Sequence, residues 1–489
     1  MFESAELDHR IAKDVYKTEK PRLREALLNA QLELVQQKRF AVLIQIEGMD
    51  AAGKGETVQL LHEWMDPRHV HTHAFGEPTE EERERPAMWR YWRALPAKGE
   101  IGIFFGAWQS VGLRRLQANH YEEGIDASVR LERMLANEGV LILKLWFHLS
   151  KKQQKKRLKQ LEKDPRTRWR VTEDDWQHYK SYERQRAAAE YLLRRTSTAD
   201  APWFVIAGND HRYRNLTVAN ILLTALRQRL EHDEPEHTIE QPPPAPAPID
   251  QQNVLQALDY SLHISEADYD REIEHWQGRL NLLAREPHFR RMGVLAAFEG
   301  FDAAGKGGSI RRVTSALDPR WYEVVPIAAP NEEERAQPYL WRFWRHIPGR
   351  GRFTIFDRSW YGRVLVERVE GLCSEPDWMR GYTEINDFEA QMVDHGFILC
   401  KFWLAITKDE QLKRFQAREN TDFKRFKITP EDWHNREKWE DYERAVCDMV
   451  DRTSAKIAPW TLVEANDKRF ARIKILKTLC HEIAAALKR

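Results

Sequence analysis

The chain has little cysteine, almost no net charge and no long apolar run. Its four cysteines, Cys373, Cys400, Cys447 and Cys480, lie in the second half of 489 residues, and none form a CxxC pair. That pattern argues against a disulfide framework or a structural zinc cluster and fits a reducing cytoplasm. The formal net charge is only +1, although 31% of the residues are charged. No global field therefore draws the protein to nucleic acid, and any anion site must be local. No apolar stretch approaches the length that spans a bilayer. The opening MFESAELDHRIAKDVYK is charged and lacks the apolar core of a signal peptide. The expectation is a soluble, cytoplasmic protein with neither a membrane nor a nucleic-acid partner.

What is present is a repeat. AVLIQIEGMDAAGKGE, around Gly48, Asp50, Gly53 and Lys54, returns as GVLAAFEGFDAAGKGG around Gly300, Asp302, Gly305 and Lys306, at a constant spacing of 252 residues. Asp66-Pro67-Arg68 and Asp318-Pro319-Arg320 keep the same spacing, as do the EEER stretches at Glu80 and Glu332. Asp175-Trp176 and Asp432-Trp433 are 257 apart, so the second copy has gained five residues before that point. Equivalent segments in one order over a whole domain length mark a duplicated domain rather than a solenoid. Between the copies, Pro242, Pro243, Pro244, Pro246 and Pro248 mark a linker over 232–252. Domains are expected at 1–231 and 253–489.

Each copy opens with a helix bearing apolar positions such as Leu23, Leu27, Leu28 and Leu32. A continuous apolar strand, the glycine loop and a second helix (about 307–317 in the second copy) follow. FTIF, FILCKFWLAI and WTLVEA read as three further strands separated by polar helices. Strand–helix alternation with continuous apolar strands predicts a parallel sheet covered on both faces, one α/β domain per copy.

GxxxxGK between a strand and a helix is a phosphate loop. Backbone N–H groups wrap a phosphate, the helix N-terminus adds positive potential, and the lysine reaches outer phosphates. Gly300, Gly305, Gly307 and Lys306 are the candidate phosphate-binding residues. Gly307 stands where a Ser or Thr usually meets Mg²⁺, while the loop carries its own carboxylate, Asp302. A carboxylate beside phosphates is repulsive unless a cation lies between them; the other reading is that Asp302 caps the loop through a backbone hydrogen bond. Asp357 ends the FTIF strand, a usual place for a Mg²⁺ ligand, and Arg358 follows within reach of a phosphate. At these positions the first copy has Phe105 and Gly106, so it keeps the apolar strand and drops both charges.

Lys413, Arg414, Arg418, Lys424, Arg425 and Lys427 form a basic stretch that reads either as a lid over phosphates or as a solvated helical face. Most of the 18 tryptophans recur in both copies (Trp89/Trp341, Trp92/Trp344, Trp203/Trp460), which favours packing over base stacking. No histidine stands out as a phosphorylated intermediate, so direct in-line transfer is expected.

GFDAAGKGG, LDPRWYEV, APNEEERAQPYLWRFWRHIPGRG, FDRSWY and KRFKITPEDW together resemble the polyphosphate kinase 2 family, and the resemblance covers nearly the whole chain, twice. It implies P-loop kinase-like (thymidylate-kinase-like) tandem domains with a helical lid. It also implies phosphoryl transfer from inorganic polyphosphate to AMP, giving ADP, as in the two-domain class of the family. By the resemblance Asp302 and Asp357 bind Mg²⁺, Lys306 and Arg358 contact phosphoryl groups, and Arg425 and Lys427 act from the lid. The first copy lacks the second acidic position, so catalysis is not carried over to it. It is expected to serve as half of an intramolecular pseudo-dimer, with further homo-oligomerisation left open. An ATP-dependent nucleoside monophosphate kinase and a non-catalytic phosphate or nucleotide sensor are the alternatives.

Overall fold

A computed structural model describes residues 1–108, 123–232, 253–422, 426 and 428–488. The linker expected at 232–252 falls outside the described residues, apart from His232. Two compact units result. The first takes in Met1–Pro78, Arg90–Glu236 and Pro330–Trp341; the second takes in Thr79–Trp89, His237–Ala329 and Arg342–Arg489.

The first unit contains strands β1 (Val42–Gly48), β2 (Val70–Ala74), β3 (Ile101–Phe105), β4 (Leu141–His148) and β5 (Trp203–Ala207). They form one sheet in the order β2-β3-β1-β4-β5, with every pairing parallel. The second unit repeats it with β6 (Gly293–Gly300), β7 (Tyr322–Pro326), β8 (Phe353–Asp357), β9 (Phe397–Ala405) and β10 (Trp460–Glu464). Their order is β10-β9-β6-β8-β7, the same topology, again all parallel. All nine residues of β9 are buried, as are the first seven of β6, because helices cover both faces of a parallel sheet.

The strand missing from the sequence reading is one of the two edge strands of each sheet, β2 and β7. It has a neighbour on one side only and reads VHTHA or YEVVP, polar and largely exposed. The opposite edges, β5 and β10, are apolar and better covered, so exposure of the faces is what hides β2 and β7. The leading helix spans Lys13–Gln37 and buries Leu23, Leu27, Ala30, Gln31 and Leu34. Leu28 and Leu32, also apolar positions of this helix, lie off that stripe and are exposed. The helix after the second glycine loop runs Lys306–Thr314 and stops three residues short of the expected end.

A buried polar cluster is duplicated. Lys144 Nζ meets Glu132 Oε2 at 2.6 Å and the Thr196 carbonyl; Lys401 Nζ meets Glu389 Oε2 at 2.8 Å and the Thr453 carbonyl. The indole N–H groups of Trp203 and Trp460 donate to the hydroxyls of Thr196 and Thr453. Both copies retain these contacts, so they belong to the fold. The six paired tryptophans are all buried, in keeping with a packing role. Among the described residues no helix is long and apolar enough to cross a membrane, and all four cysteines are free.

Candidate active site

The second unit's loop leaves β6 at Gly300 and enters the helix Lys306–Thr314. Gly305 caps that helix at φ +113°, a left-handed conformation that side chains rarely adopt. Arg414 locks the loop from behind. Its Nη1 donates to the carbonyls of Ala303 and Ala304 at 2.9 and 3.0 Å, and its Nη2 to those of Ala465 and Asn466. Glu410 Oε1 holds its Nε at 2.6 Å. Arg414, read from the sequence either as part of a lid or as part of a solvated helical face, is buried and braces the loop.

Parallel pairing of Phe298 with Asp357 brings the end of β8 beside the start of the loop. A methyl group on Gly307 would stand 4.0 Å from Asp357 Oδ2, so this carboxylate faces the first turn of the loop helix. Arg358 adopts φ +66° and its Nη2 lies 3.3 Å from Asp302 Oδ1. From this left-handed turn the Arg358 side chain reaches the cleft. Asn435 Nδ2 donates to Asp302 Oδ2 at 2.8 Å, and Gln411 holds the Asp302 carbonyl at 3.1 Å. Buried Glu299 accepts from the Ser359 N–H (2.7 Å) and hydroxyl (2.8 Å), fixing the turn that carries Asp357 and Arg358.

Lys306 Nζ donates to the Gly300 carbonyl at 2.6 Å. Burial pushes its ammonium pKa down, against the pull of the Asp302 carboxylate. The desolvated cation is thus poised for an anion that restores its stabilisation. Arg358 goes the other way: burial opposes its charge, yet Asp302 and then Glu299 leave the guanidinium pKa above its ordinary value.

These residues open into a cavity of about 680 Å³ whose walls also carry Arg311, Arg312, Arg418, Lys468 and Arg472. Burial, and next the repulsion of Arg414, brings the Lys468 ammonium down to about 8. Of the sequence-predicted residues, Asp302, Lys306, Asp357, Arg358, Gly305 and Gly307 line this one cavity, with Gly300 at its base where the Lys306 ammonium lands. Lys424, Arg425 and Lys427 lie outside the described residues. Sequence reasoning missed Arg311, Arg312, Lys468 and Arg472, and also Asn435 and Glu299. A signal for the four cations was present: at the matching positions the first copy has Gln59, Leu60, His211 and Asn215.

The first unit shows what that exchange does. Its cavity, about 430 Å³, is lined by Glu56, Gln59, Glu63, Arg157, His211, Arg214 and Asn215, among others. Glu56 replaces Gly308 and is clamped by Arg214 Nη2 at 2.6 Å and Arg157 Nη2 at 2.9 Å. A methyl group on Gly53 would stand 1.9 Å from Arg214 Nη1, whereas one on Gly305 meets nothing within 4 Å. An internal guanidinium thus presses on the first loop, and Ala471 leaves the second open. Asp50 is met by His178 Nδ1 at 2.8 Å and by Lys54 at 3.8 Å.

Asp302 and Asp357 offer hard oxygen ligands. No group of three His, Cys, Asp or Glu side chains suited to a metal stands together among the described residues. Two carboxylates at a phosphate site fit a divalent cation that takes its remaining ligands from phosphate and water.

A parallel sheet with a glycine loop, an acidic strand end and a cation-lined cleft defines a phosphotransferase of the P-loop kinase-like class. The family model described as polyphosphate kinase 2 (PPK2) matches residues 10–234 and again 263–489. The chain is 56% identical to a polyphosphate:AMP phosphotransferase of Pseudomonas aeruginosa over 494 residues, covering 100% of both chains. It is 54% identical to one of Pseudomonas syringae, covering 100% of this chain and 99% of the relative. The crystal structure of a putative polyphosphate kinase 2 from Pseudomonas aeruginosa superposes with a TM-score of 0.91 at 54% identity, covering both chains fully. The chain belongs to the polyphosphate kinase 2 family.

Proposed function

We propose that the protein transfers a phosphoryl group from inorganic polyphosphate to AMP, giving ADP and a polyphosphate one unit shorter, and that only the second unit does so. The observation that carries the reading is the exchange of cleft charges between two copies of one fold. The second cleft lines its loop with Arg311, Arg312, Arg418, Lys468 and Arg472, a track suited to an extended polyanion. The first replaces four of these cations with Gln59, Leu60, His211 and Asn215, replaces Arg418 with Leu161, and adds Glu56 and Glu63. The printed names of the relatives support polyphosphate as donor and AMP as acceptor.

Lys306 and Arg358 hold the oxygens of the transferring group, and the loop N–H groups cradle it. The AMP phosphate oxygen attacks in line; its bond to phosphorus forms as the bridging P–O bond of the polyphosphate breaks, and the leaving chain keeps the electron pair. Catalysis of this kind is positioning plus charge stabilisation. Asp302 and Asp357 would hold Mg²⁺, which neutralises phosphate oxygens when bound. Lys424, Arg425 and Lys427, nine or fewer residues beyond Arg418 in sequence, are proposed to close over the phosphates from the lid.

The first unit serves as a structural partner in an intramolecular pseudo-dimer, with its loop closed to polyphosphate by the Arg214–Glu56 pair. Four free thiols fit a reducing, cytoplasmic setting. The test is ADP formation from AMP with Mg²⁺ and either polyphosphate or ATP as donor. Turnover with polyphosphate at ATP-independent rates supports the reading; turnover with ATP alone replaces it with a nucleoside monophosphate kinase.

A further inference from the structure

Three donors from one helical face converge on a single carboxylate beside the active site. Glu370 follows the short helix Val366–Val369, thirteen residues beyond Asp357 on the same stretch of chain. It accepts from His434 Nε2 at 3.0 Å, Lys438 Nζ at 2.6 Å and the Tyr442 hydroxyl at 3.2 Å. These positions are four residues apart, one face of helix Pro430–Glu437 and of helix Trp439–Thr453 that continues from it. Glu370 therefore grips the junction at Lys438 where the two helices meet.

The same junction reaches the loop. The Tyr442 hydroxyl stands 3.5 Å from Asn435 Oδ1, so its one proton is shared between Asn435 and Glu370. Asn435 spends its amide on Asp302 Oδ2. Trp439 stacks on Phe301, the residue before Asp302, with ring centroids 4.1 Å apart and planes 13° from parallel. An amide orients Asp302 without adding charge, so the carboxylate stays available to a cation. The first copy builds this otherwise: Gln177, Ser181 and Gln185 replace His434, Lys438 and Tyr442, and His178 replaces Asn435.

We propose that Glu370 is a positioning residue of the reaction, pinning the helix junction at Lys438 and, through Tyr442 and Asn435, fixing the Asp302 carboxylate. The network ties the segment that carries Asp357 to the residue that steadies Asp302, so both acidic groups are held to one frame. The inference rests on the reading of Asp302 as a cation and phosphate-positioning group.

The experiment measures ADP formation by the full chain against Mg²⁺ concentration, for Glu370→Gln, Tyr442→Phe, Asn435→Ala, Glu370→Gln/Asn435→Ala and Asp302→Asn. Glu370→Gln and Tyr442→Phe are expected to raise the Mg²⁺ concentration for half-maximal rate about three- to tenfold and lower kcat, with the KM for AMP unchanged. The double variant should be no worse than Asn435→Ala within about twofold, since both changes act through one contact. Glu370→Gln and Tyr442→Phe at wild-type values, with Asp302→Asn inactive, overturn the proposal and leave the site intact. So do effects of Glu370→Gln and Asn435→Ala that multiply in full. Wild-type turnover by Asp302→Asn instead overturns the reading of the site itself. Should Glu370→Gln not accumulate as folded protein, Tyr442→Phe, which removes one hydroxyl and no charge, decides the matter in the same way.

Discussion

Arg358 holds a left-handed backbone at φ +66°, and its counterpart Gly106 holds the same conformation at φ +77°. The second copy thus keeps an arginine where the fold prefers glycine, and replacing it separates chemistry from stability. Left-handed backbone costs a residue with a Cβ about 1–2 kcal/mol. The pair with Asp302 spans 3.3 Å with the guanidinium 46% exposed, and a pair so exposed is worth about 0–1 kcal/mol. Glycine also adds unfolded-chain freedom, about 0.4–1 kcal/mol against the fold. For Arg358→Gly these terms nearly cancel, so the melting temperature should stay within about 3 °C of wild type. Arg358→Ala loses the pair and keeps the strain; it should melt below Arg358→Gly by about 2–4 °C. Both should lose turnover by about 10³-fold or more, as expected for an arginine on a transferring phosphoryl group. Calorimetry and coupled ADP detection on the same preparations give the two readouts. Arg358→Ala melting at or above Arg358→Gly would refute the strain argument, and turnover within tenfold of wild type would refute the role.

Asp357→Asn should abolish turnover while moving the melting temperature little, because the side chain lies in the cleft and outside the core; wild-type rates would remove it from the site. Lys468 gives a pH signature. Free, it loses its charge as pH rises through about 8, and a polyanion beside it holds the proton on. Affinity for polyphosphate should be level below that pH and fall above it, toward about tenfold per pH unit. Lys468→Met should bind more weakly at pH 7 and without that slope; an unchanged slope in the variant would contradict the assignment. Lys401→Met strands Glu389 as an unpaired buried carboxylate, a loss of about 3–5 kcal/mol. It should lower the melting temperature by several degrees and spare kcat per folded molecule, since Lys144 and Glu132 keep the same pair in the other copy.

Much of this was legible in the chain because duplication supplied an internal control. The central strands announced themselves by continuous apolarity, and the loop by its glycines and lysine. Asp357 and Arg358 stood out because Phe105 and Gly106 keep the strand without them. The edge strands β2 and β7 were hidden because their side chains are polar and largely exposed, unlike those of the opposite edges β5 and β10. Arg414 was misplaced because a basic run does not reveal which cation turns inward to brace carbonyls. Lys468 and Arg472 are far from the loop in sequence and come to it only through the parallel sheet. Asn435 was invisible for another reason: an amide chosen for neutrality carries no charge pattern to notice. The stopper on the first loop needs three residues, Glu56, Arg157 and Arg214, that meet only once the fold is formed.

The central claim is one live site in a duplicated fold. The most direct measurement is ADP formation from AMP, polyphosphate and Mg²⁺ by the full chain, with Lys306→Ala and Lys54→Ala beside wild type. The account predicts that Lys306→Ala is inactive and that Lys54→Ala retains turnover. Loss of activity in Lys54→Ala at unchanged stability, or turnover that survives Lys306→Ala, would contradict it.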